Sequence, residues 1–265
     1  MSDKDIDVRA FNRDAWNRQV GGGNEWTIPV DAKTIADARI GDWSIVLTPQ
    51  IPVPADWFPP LPGAEVLCLA SGGGQQGPVL SAAGAKVTVY DNSPSQLEVD
   101  RNVAERENLD IRTVEGDMRD LSLFDDATFD LIFHPVSNVF IPNILPVWRE
   151  AYRVLRPGGT LLSGFDNPLM FLFDVPAYEA GKFVVAHKLP YSDTNSLSEE
   201  EIAARRDRGE PFEFGHTLDD QIGGQIEAGF LISGFYEDRF SPEVDLLSRY
   251  IATFVATRAI KPSGA

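Results

Sequence analysis

The chain has 265 residues, 43% of them apolar, and carries 40 acidic against 23 basic residues for a net charge of −17. Such an acidic surface repels phosphate backbones and anionic membranes, so neither nucleic acid nor a membrane is expected as a partner. Cys68 is the single cysteine, which excludes an internal disulfide or a cysteine metal cluster, and His134, His187 and His216 are too dispersed to suggest a zinc site.

The length suits one α/β domain, or one domain with an added arm. The charged stretch Met1 to Asp14 does not read as a secretory signal, and no apolar run approaches the ~20 residues of a membrane helix. A soluble, cytoplasmic protein is expected. Residues 1–62 read as an irregular arm. Gly21-Gly22-Gly23 marks a flexible break, and Pro49, Pro52, Pro54, Pro59, Pro60 and Pro62 disfavour regular structure. Trp16, Trp26, Trp43 and Trp57 lie in this arm, either as anchors on the core or as walls of a substrate pocket.

From Gly63 the pattern changes. Residues 65–70 form an apolar run that ends in Ser71-Gly72-Gly73-Gly74, a buried strand running into a tight turn. A helix is predicted from Gln75 to Ala83 and a second strand from Lys86 to Tyr90, ending at Asp91. Ser93 caps the next helix, with Pro94 in its first turn and Gln96 placed to close a capping box. Ile111 to Glu115 and Phe129 to Phe133 are the third and fourth strands. Between Asn143 and Arg156 apolar residues recur at three and four, an amphipathic helix ended by Pro157-Gly158-Gly159. Thr160 to Phe165 begins the fifth strand.

Residues 167–215 break the alternation and read as a substrate-side insertion, in which Ser196 to Glu199 has the spacing of a capping box opening a helix to about Arg208. Thr217 caps a helix running to Gly229. Two further strands are predicted, Phe230 to Tyr236 and Arg249 to Ile260. Strands alternating with helices imply a mostly parallel sheet with right-handed crossovers.

An open sheet of this kind binds ligands beyond the carboxyl ends of its strands. The candidates are therefore Ala70, Ser71, Gly72, Gly73, Gly74 and Gln75 after the first strand, and Asp91, Asn92 and Gln96 after the second. Gly116, Asp117 and Met118 follow the third, and His134 and Pro135 the fourth. Asp91 is placed to accept from both hydroxyls of a ribose, Asp117 from an exocyclic amine, and Met118 to cover a purine. His134 is the one catalytic candidate, as a general base; the plainer reading is a hydrogen-bonded wall residue. Cys68, mid-strand in an apolar run, reads as buried and inert.

The spacing Gly72-x-Gly74-x-x-Gly77 with Asp91 after the next strand also satisfies the dinucleotide fingerprint, so an NAD(P)-dependent oxidoreductase stays open on that motif alone. The other features point elsewhere. Val66 to Gly74 resembles the glycine-rich first motif of class I S-adenosylmethionine-dependent methyltransferases. Asp91 matches their ribose-binding acid, and Glu115-Gly116-Asp117-Met118 resembles their adenine-contacting segment. Residues 129–132 and 152–159 are similar to their fourth strand and to the helix end before their fifth.

The resemblance implies a Rossmann-like, doubly wound α/β fold whose seven-stranded sheet is mostly parallel with the last strand antiparallel. It also implies S-adenosylmethionine as cofactor and methyl transfer to a small-molecule acceptor, with residues 1–62 as a lid on a domain spanning 63–265. The acceptor and the oligomeric state stay open. The family often has an acid where Cys68 stands and a glycine where Ala70 stands, which keeps a non-catalytic S-adenosylmethionine-binding protein as a further alternative.

Overall fold

The computed structural model describes residues 6–264. Of the charged opening stretch, Met1 to Asp5 lie outside the described residues, as does Ala265. Seven strands form one sheet: β1 (Glu65–Leu69), β2 (Lys86–Asp91), β3 (Ile111–Glu115), β4 (Phe129–His134), β5 (Leu155–Asp166), β6 (Leu231–Asp238) and β7 (Phe254–Ile260). Their order is β3-β2-β1-β4-β5-β7-β6. The first five pair in parallel, while β7 runs antiparallel to both β5 and β6. The sheet expected from the family resemblance is the sheet observed. An order that places an antiparallel β7 between β5 and β6 also departs from the 3-2-1-4-5-6 order of dinucleotide-binding domains.

Strand alternation sends Val66 and Cys68 to one face and Leu67 and Leu69 to the other, so each face has its own core. On the first face pack α2 (Ala32–Arg39), α3 (Gln76–Ala82) and α4 (Pro94–Glu107), through Ala38, Leu80 and Leu97. On the second packs α5 (Leu145–Val154), through Val147, Trp148 and Ala151, with Phe230 beside it. Gly77 does what the third glycine of the dinucleotide spacing does, since a Cβ there would lie 2.8 Å from Val89. The glycine spacing therefore reports close helix–strand packing, whichever cofactor the loop serves.

The arm is more regular than its composition suggests. It opens with a 15-residue helix, α1 (Val8–Gly22), capped by Asp7, which accepts from the Ala10 N–H at 3.0 Å. Gly21 and Gly22 finish this helix and Gly23 takes the left-handed cap position, so the triplet is a helix end and not a flexible break. The helix has little apolar face of its own and is held by a polar one. Asn12 Nδ2 donates to the carbonyls of Phe140 and Phe212, and its Oδ1 accepts from the Phe212 N–H at 2.7 Å. A lone asparagine gives no local signal for such a clamp. The proline-rich run is tied to β6 through Asp238, which accepts from Thr48 Oγ1 and from the N–H groups of Gln50 and Ile51. Ile45, Leu47, Val53, Trp57 and Leu61 join the same core cluster as Val66, Leu131 and Phe133.

Several predicted boundaries move. β5 starts at Leu155 and not Thr160, because Gly158 donates to the Lys261 carbonyl and Lys261 to the Gly159 carbonyl, drawing residues 157–159 into the sheet. The last strand starts at Phe254 and not Arg249. Residues 247–249 form a 3-10 turn in which Leu247 N–H donates to Tyr178 Oη and Ser248 N–H to Asp245.

The region 167–215 carries α6 (Val175–Glu179), α7 (Asp193–Ser196) and α8 (Glu199–Arg208). The capping box of α8 is Ser198 with Glu201, two residues later than read from the sequence. After Thr217 the chain makes a π-turn over Asp219–Gly223 and then α9 (Gly224–Glu227). No helix among the described residues is long and apolar enough to cross a membrane.

Candidate active site

A cavity of about 470 Å³ opens above the carboxyl ends of β1 to β5. Its floor at one end is the turn after β1. Ala70 takes a left-handed φ of 48°, and its N–H donates to the Tyr90 carbonyl at 2.7 Å. Ser71 Oγ donates to Gln76 Oε1 at 3.1 Å. The Gly72 N–H donates to Asp91 Oδ2 at 3.0 Å, and a Cβ on Gly72 would sit 2.7 Å from Gln96 Cβ. Only a glycine leaves this surface open.

Asp91 ends β2 in the cavity wall. Its other oxygen accepts from the Ser93 N–H at 2.8 Å. Burial raises its pKa, against the pull of the Ser93 and Gly72 N–H groups. Each carboxylate oxygen still has a lone pair for a further donor. The Ser93 hydroxyl accepts from the Gln96 N–H as expected for a cap, but the reciprocal half of the box is not made. Gln96 lines the cavity, and its buried Oε1, which lies toward Gly73, has no hydrogen-bond partner. An orphaned acceptor beside a ribose-type carboxylate fits a polyhydroxylated ligand.

Asn92 exchanges two 3.0 Å hydrogen bonds with Arg9 of α1, one from each side. Gln75 Nε2 donates to the carbonyls of Glu25 and Ile28, both at 3.0 Å, fastening the arm beside the loop. Gly116, Asp117 and Met118 line the cavity after β3. Burial works against ionisation of Asp117, but the Arg119 guanidinium, gripping both oxygens at 2.6–3.1 Å, holds its pKa below the usual carboxylate range. Pro135 lines the cavity after β4.

Three candidates do not reach the cavity as the sequence suggested. Gly73 and Gly74 turn away from it. Their N–H groups point to Asp100 on α4, whose Oδ2 accepts from Gly73 at 2.9 Å. His134 is fully buried. Its Nδ1 meets the Leu69 carbonyl at 2.9 Å and its Nε2 the Asn138 Oδ1 at 2.7 Å; Asn138 donates in turn to Gln221. Burial lowers the His134 pKa against the pull of these two hydrogen bonds, and both ring nitrogens are taken up inside the fold. It ties β1 and β4 to the π-turn, and the wall-residue reading replaces the general base.

Asp100 is the residue that the sequence reading missed. It is fully buried, its Oδ1 lacks a partner, and burial pushes its pKa up to about 7. It bears electrostatically on Cys68, the position where the family often has an acid. A buried carboxylate thus stands beside the glycine loop on α4, where it accepts from the Gly73 N–H. Its only sequence signal is a lone acid on the inward face of a helix.

The other end of the cavity lies under the arm and the region 167–215. Trp16 lines the cavity from α1 and Trp26 lines it beside Gly73 and Gln75, whereas Trp43 and Trp57 pack on the core cluster, edge-on to Phe58 and against Tyr236 respectively. Of the aromatic residues in the region 167–215, Phe171, Phe173 and Tyr191 line the cavity. Phe212 and Phe214 pack into a small core with Ile202 and Phe11, and Tyr178 and Phe183 stack on Phe173 outside the lining. Asp166, Tyr191, Asp193, Arg205, Glu213 and Phe254 complete this end. Among the described residues no group of His, Cys, Asp and Glu is placed to hold a metal ion.

Comparison with known proteins agrees with this geometry. Residues 67–163 match the family model of the methyltransferase domain. The chain is 54% identical over 252 residues to YbaJ, an uncharacterized methyltransferase of Bacillus subtilis strain 168, covering 95% of this chain and 98% of that one. It is 35% identical over 112 residues to a demethylmenaquinone methyltransferase of Tropheryma whipplei, 42% of this chain and 45% of that protein. Among solved structures, an S-adenosylmethionine-dependent methyltransferase from Mesorhizobium loti superposes with a TM-score of 0.59 at 18% identity, over 77% of this chain and 94% of that one. That last likeness is one of fold.

Proposed function

The chain belongs to the S-adenosylmethionine-dependent methyltransferases, and from that premise we propose that the β1-to-β4 end of the cavity holds the cofactor and the aromatic end a small acceptor. The observation that carries this assignment is the cradle in which Gly72, Asp91 and Gln96 converge at the cavity wall, too close for any Cβ on Gly72. Asp91 would accept from the ribose hydroxyls, with Gln96 taking a further donor. Asp117 and Met118 would flank the adenine, and Ala70 and Ser71 the amino-acid end. Bound there, the cofactor supplies a methyl group already activated by a positively charged sulfur.

The protein's part is then alignment and exclusion of water. Approximation of this kind contributes up to ~7–11 kcal/mol to a two-substrate reaction. Val8, Arg9, Asn12 and Trp16 of α1 roof the cavity, and Met170, Phe171 and Phe173 close it from the opposite side. This enclosure supports a lid role for the arm and an acceptor small enough to be surrounded. The Tropheryma relative, named for a quinone precursor, supports an apolar one. A general base is needed only if the acceptor keeps its proton at neutral pH, and His134 is not placed to be one.

Calorimetry with S-adenosylmethionine, with NAD in a parallel titration, tests the assignment. Wild-type protein is expected to bind S-adenosylmethionine alone. Asp91→Ala is expected to weaken that binding by about 10- to 100-fold, the value of losing hydrogen bonds to a charged acceptor. Unchanged affinity in the variant would remove the ribose from Asp91.

A further inference from the structure

The cofactor assignment leaves two carboxylates at the far end of the cavity without a role. Asp166 ends β5 beyond Ser163, the residue level with His134. At the rise of a β-strand it stands ~10 Å past the edge where the glycine loop turns. Glu213 faces it from the loop after α8. That loop is fixed by the Glu213 N–H donating to Asp193 Oδ2 at 2.7 Å and the Asp193 N–H donating to the Glu213 carbonyl at 3.1 Å. Both acids line the cavity.

Asp166 is half-buried at the cavity wall, and burial acts to raise the pKa of its carboxyl. It has no side-chain partner; it meets its own backbone N–H, and the charge that bears on it is that of Glu213. The cation nearby is committed elsewhere. Arg205 bridges Asp193 at 3.3 Å, and the Tyr191 hydroxyl donates to the same carboxylate at 2.7 Å. Arg205 also acts on Glu213, with Asp193 and Glu210 opposing it. His187 stands edge-on to Tyr191 at 5.0 Å. Aromatic walls flank the acids: Phe171 stacks on Tyr191 at 5.6 Å, and Phe254 lies beside Asp166 in sequence register, edge-on to Phe240 at 4.9 Å.

Two half-buried carboxylates facing one cavity, without a cation of their own, cost free energy when both are charged. Burial pushes each up to about 7, so near neutral pH the empty pair holds protons that a bound cation would displace. We propose that Asp166 and Glu213 are the acceptor-recognition pair and select a small molecule carrying a basic amine on an aromatic or apolar body. The ammonium supplies the missing charge and donors, and the aromatic walls take the apolar body. An alcohol leaves the charge unmet, and a carboxylate meets repulsion. This inference rests on the methyltransferase assignment of the cavity.

The test is calorimetry on the full chain saturated with S-adenosylhomocysteine, with 3-phenylpropylamine, 3-phenylpropanol and 3-phenylpropanoate as probes of one shape. The amine is expected to bind about tenfold or more tighter than the alcohol, and the carboxylate more weakly still. Repeating the amine titration at pH 7 in buffers of different ionisation enthalpy is expected to show proton release. Asp166→Asn and Glu213→Gln, each checked for an intact melting transition, are expected to abolish the preference and the release while leaving S-adenosylhomocysteine affinity within about twofold. Equal binding of the three probes, or amine binding without proton release, overturns the proposal. So does a loss of cofactor affinity in Asp166→Asn that matches the loss of amine preference, since the pair would then serve the cofactor's own charge. Failure of the wild-type protein to bind S-adenosylhomocysteine would instead overturn the cofactor assignment, and the probe series run without it would still read the amine preference.

Discussion

The two ends of the cavity are built in opposite ways. The proposed cofactor end is made chiefly by short segments at strand ends, with contacts such as Gly72 to Asp91, Asp91 to Ser93 and Asp117 to Arg119, and the arm reaches it through Arg9 to Asn92 and Gln75 to Glu25 and Ile28. The acceptor end is made by segments far apart in the chain, with α1, the proline-rich run, β5, residues 170–213 and β7 each contributing a few side chains. One end is specified by turn geometry, the other by which loops meet. The difference predicts where substitutions act on the cofactor, where they act on the acceptor, and where they act on folding.

The largest effect is expected where the cofactor end departs from its family. Cys68 is buried beside Asp100, and burial with that neighbouring charge raises its thiol pKa. Cys68→Asp would restore the usual acid but place a second carboxylate against Asp100 with no cation to offset it. An uncompensated buried charge costs ~3–5 kcal/mol, so the melting temperature is expected to fall by about 10 °C. Adding Asp100→Asn should recover part of that loss, because one carboxylate again serves the Gly73 and Gly74 N–H groups. A neutral Cys68→Asp variant would mean that the loop accommodates both acids and that Asp100 has replaced nothing.

Next comes a pair that separates the two ends. Gly72→Ala forces a Cβ to 2.7 Å from Gln96 Cβ and 3.1 Å from Asp91 Oδ2. S-adenosylmethionine affinity is expected to drop about tenfold or more, an overpacking cost of ~1–3 kcal/mol. Phe171→Ala removes an aromatic wall at the other end, and is expected to raise the KM of a cognate acceptor by a similar factor while cofactor affinity stays put. A single variant that weakened both ligands equally would show that the ends are coupled.

The pH dependence of stability is a smaller effect with a fixed sign. Asp100, Asp166 and Glu213 titrate near 7 in the folded chain and near 4 when unfolded. Between those values the folded state binds more protons, so their contribution is full below about pH 4 and is lost as pH rises through about 7. Asp117 and Asp238, held low by their partners, act in the other direction and lose their contribution on acidification below about pH 4. The melting temperature is expected to fall by a few degrees from pH 5.5 to pH 8, and less in Asp166→Asn with Glu213→Gln. A rising curve over that range would contradict the burial of these three acids.

The same contrast explains what the sequence disclosed. Every strand of the sheet was legible, because β-branched and apolar runs bounded by glycine or aspartate are local signals. The position of Gly72, Asp91 and Asp117 at strand ends bordering the cavity was legible for the same reason. The helix α1 was not, because its hold on the core comes from residues distant in the chain: Asn12 bonded to the Phe140 and Phe212 carbonyls and Phe11 stacked on Phe212. Asp166 and Glu213 were equally silent, since nothing near either residue shows that β5 and the loop after α8 will face each other. His134 misled for the converse reason: it sits at a strand end, but the neighbouring Leu69 carbonyl and Asn138 consume both ring nitrogens.

Ala70 gives the finest test of how tightly the cofactor end is specified. It occupies a left-handed φ of 48°, where its family often has glycine. A left-handed conformation costs a non-glycine residue ~1–2 kcal/mol, so relief of strain alone would make Ala70→Gly clearly stabilising. Glycine also widens the unfolded ensemble, which returns ~0.4–1 kcal/mol of that gain. The net is expected to be about 1 kcal/mol or less, a rise in melting temperature of about 2–4 °C at most. Cofactor affinity should stay within about twofold, because the Ala70 N–H bond to Tyr90 does not depend on the methyl group. A larger stabilisation with weaker cofactor binding would mean that the methyl group stiffens the loop for its ligand, and that the departure at this position is part of the site.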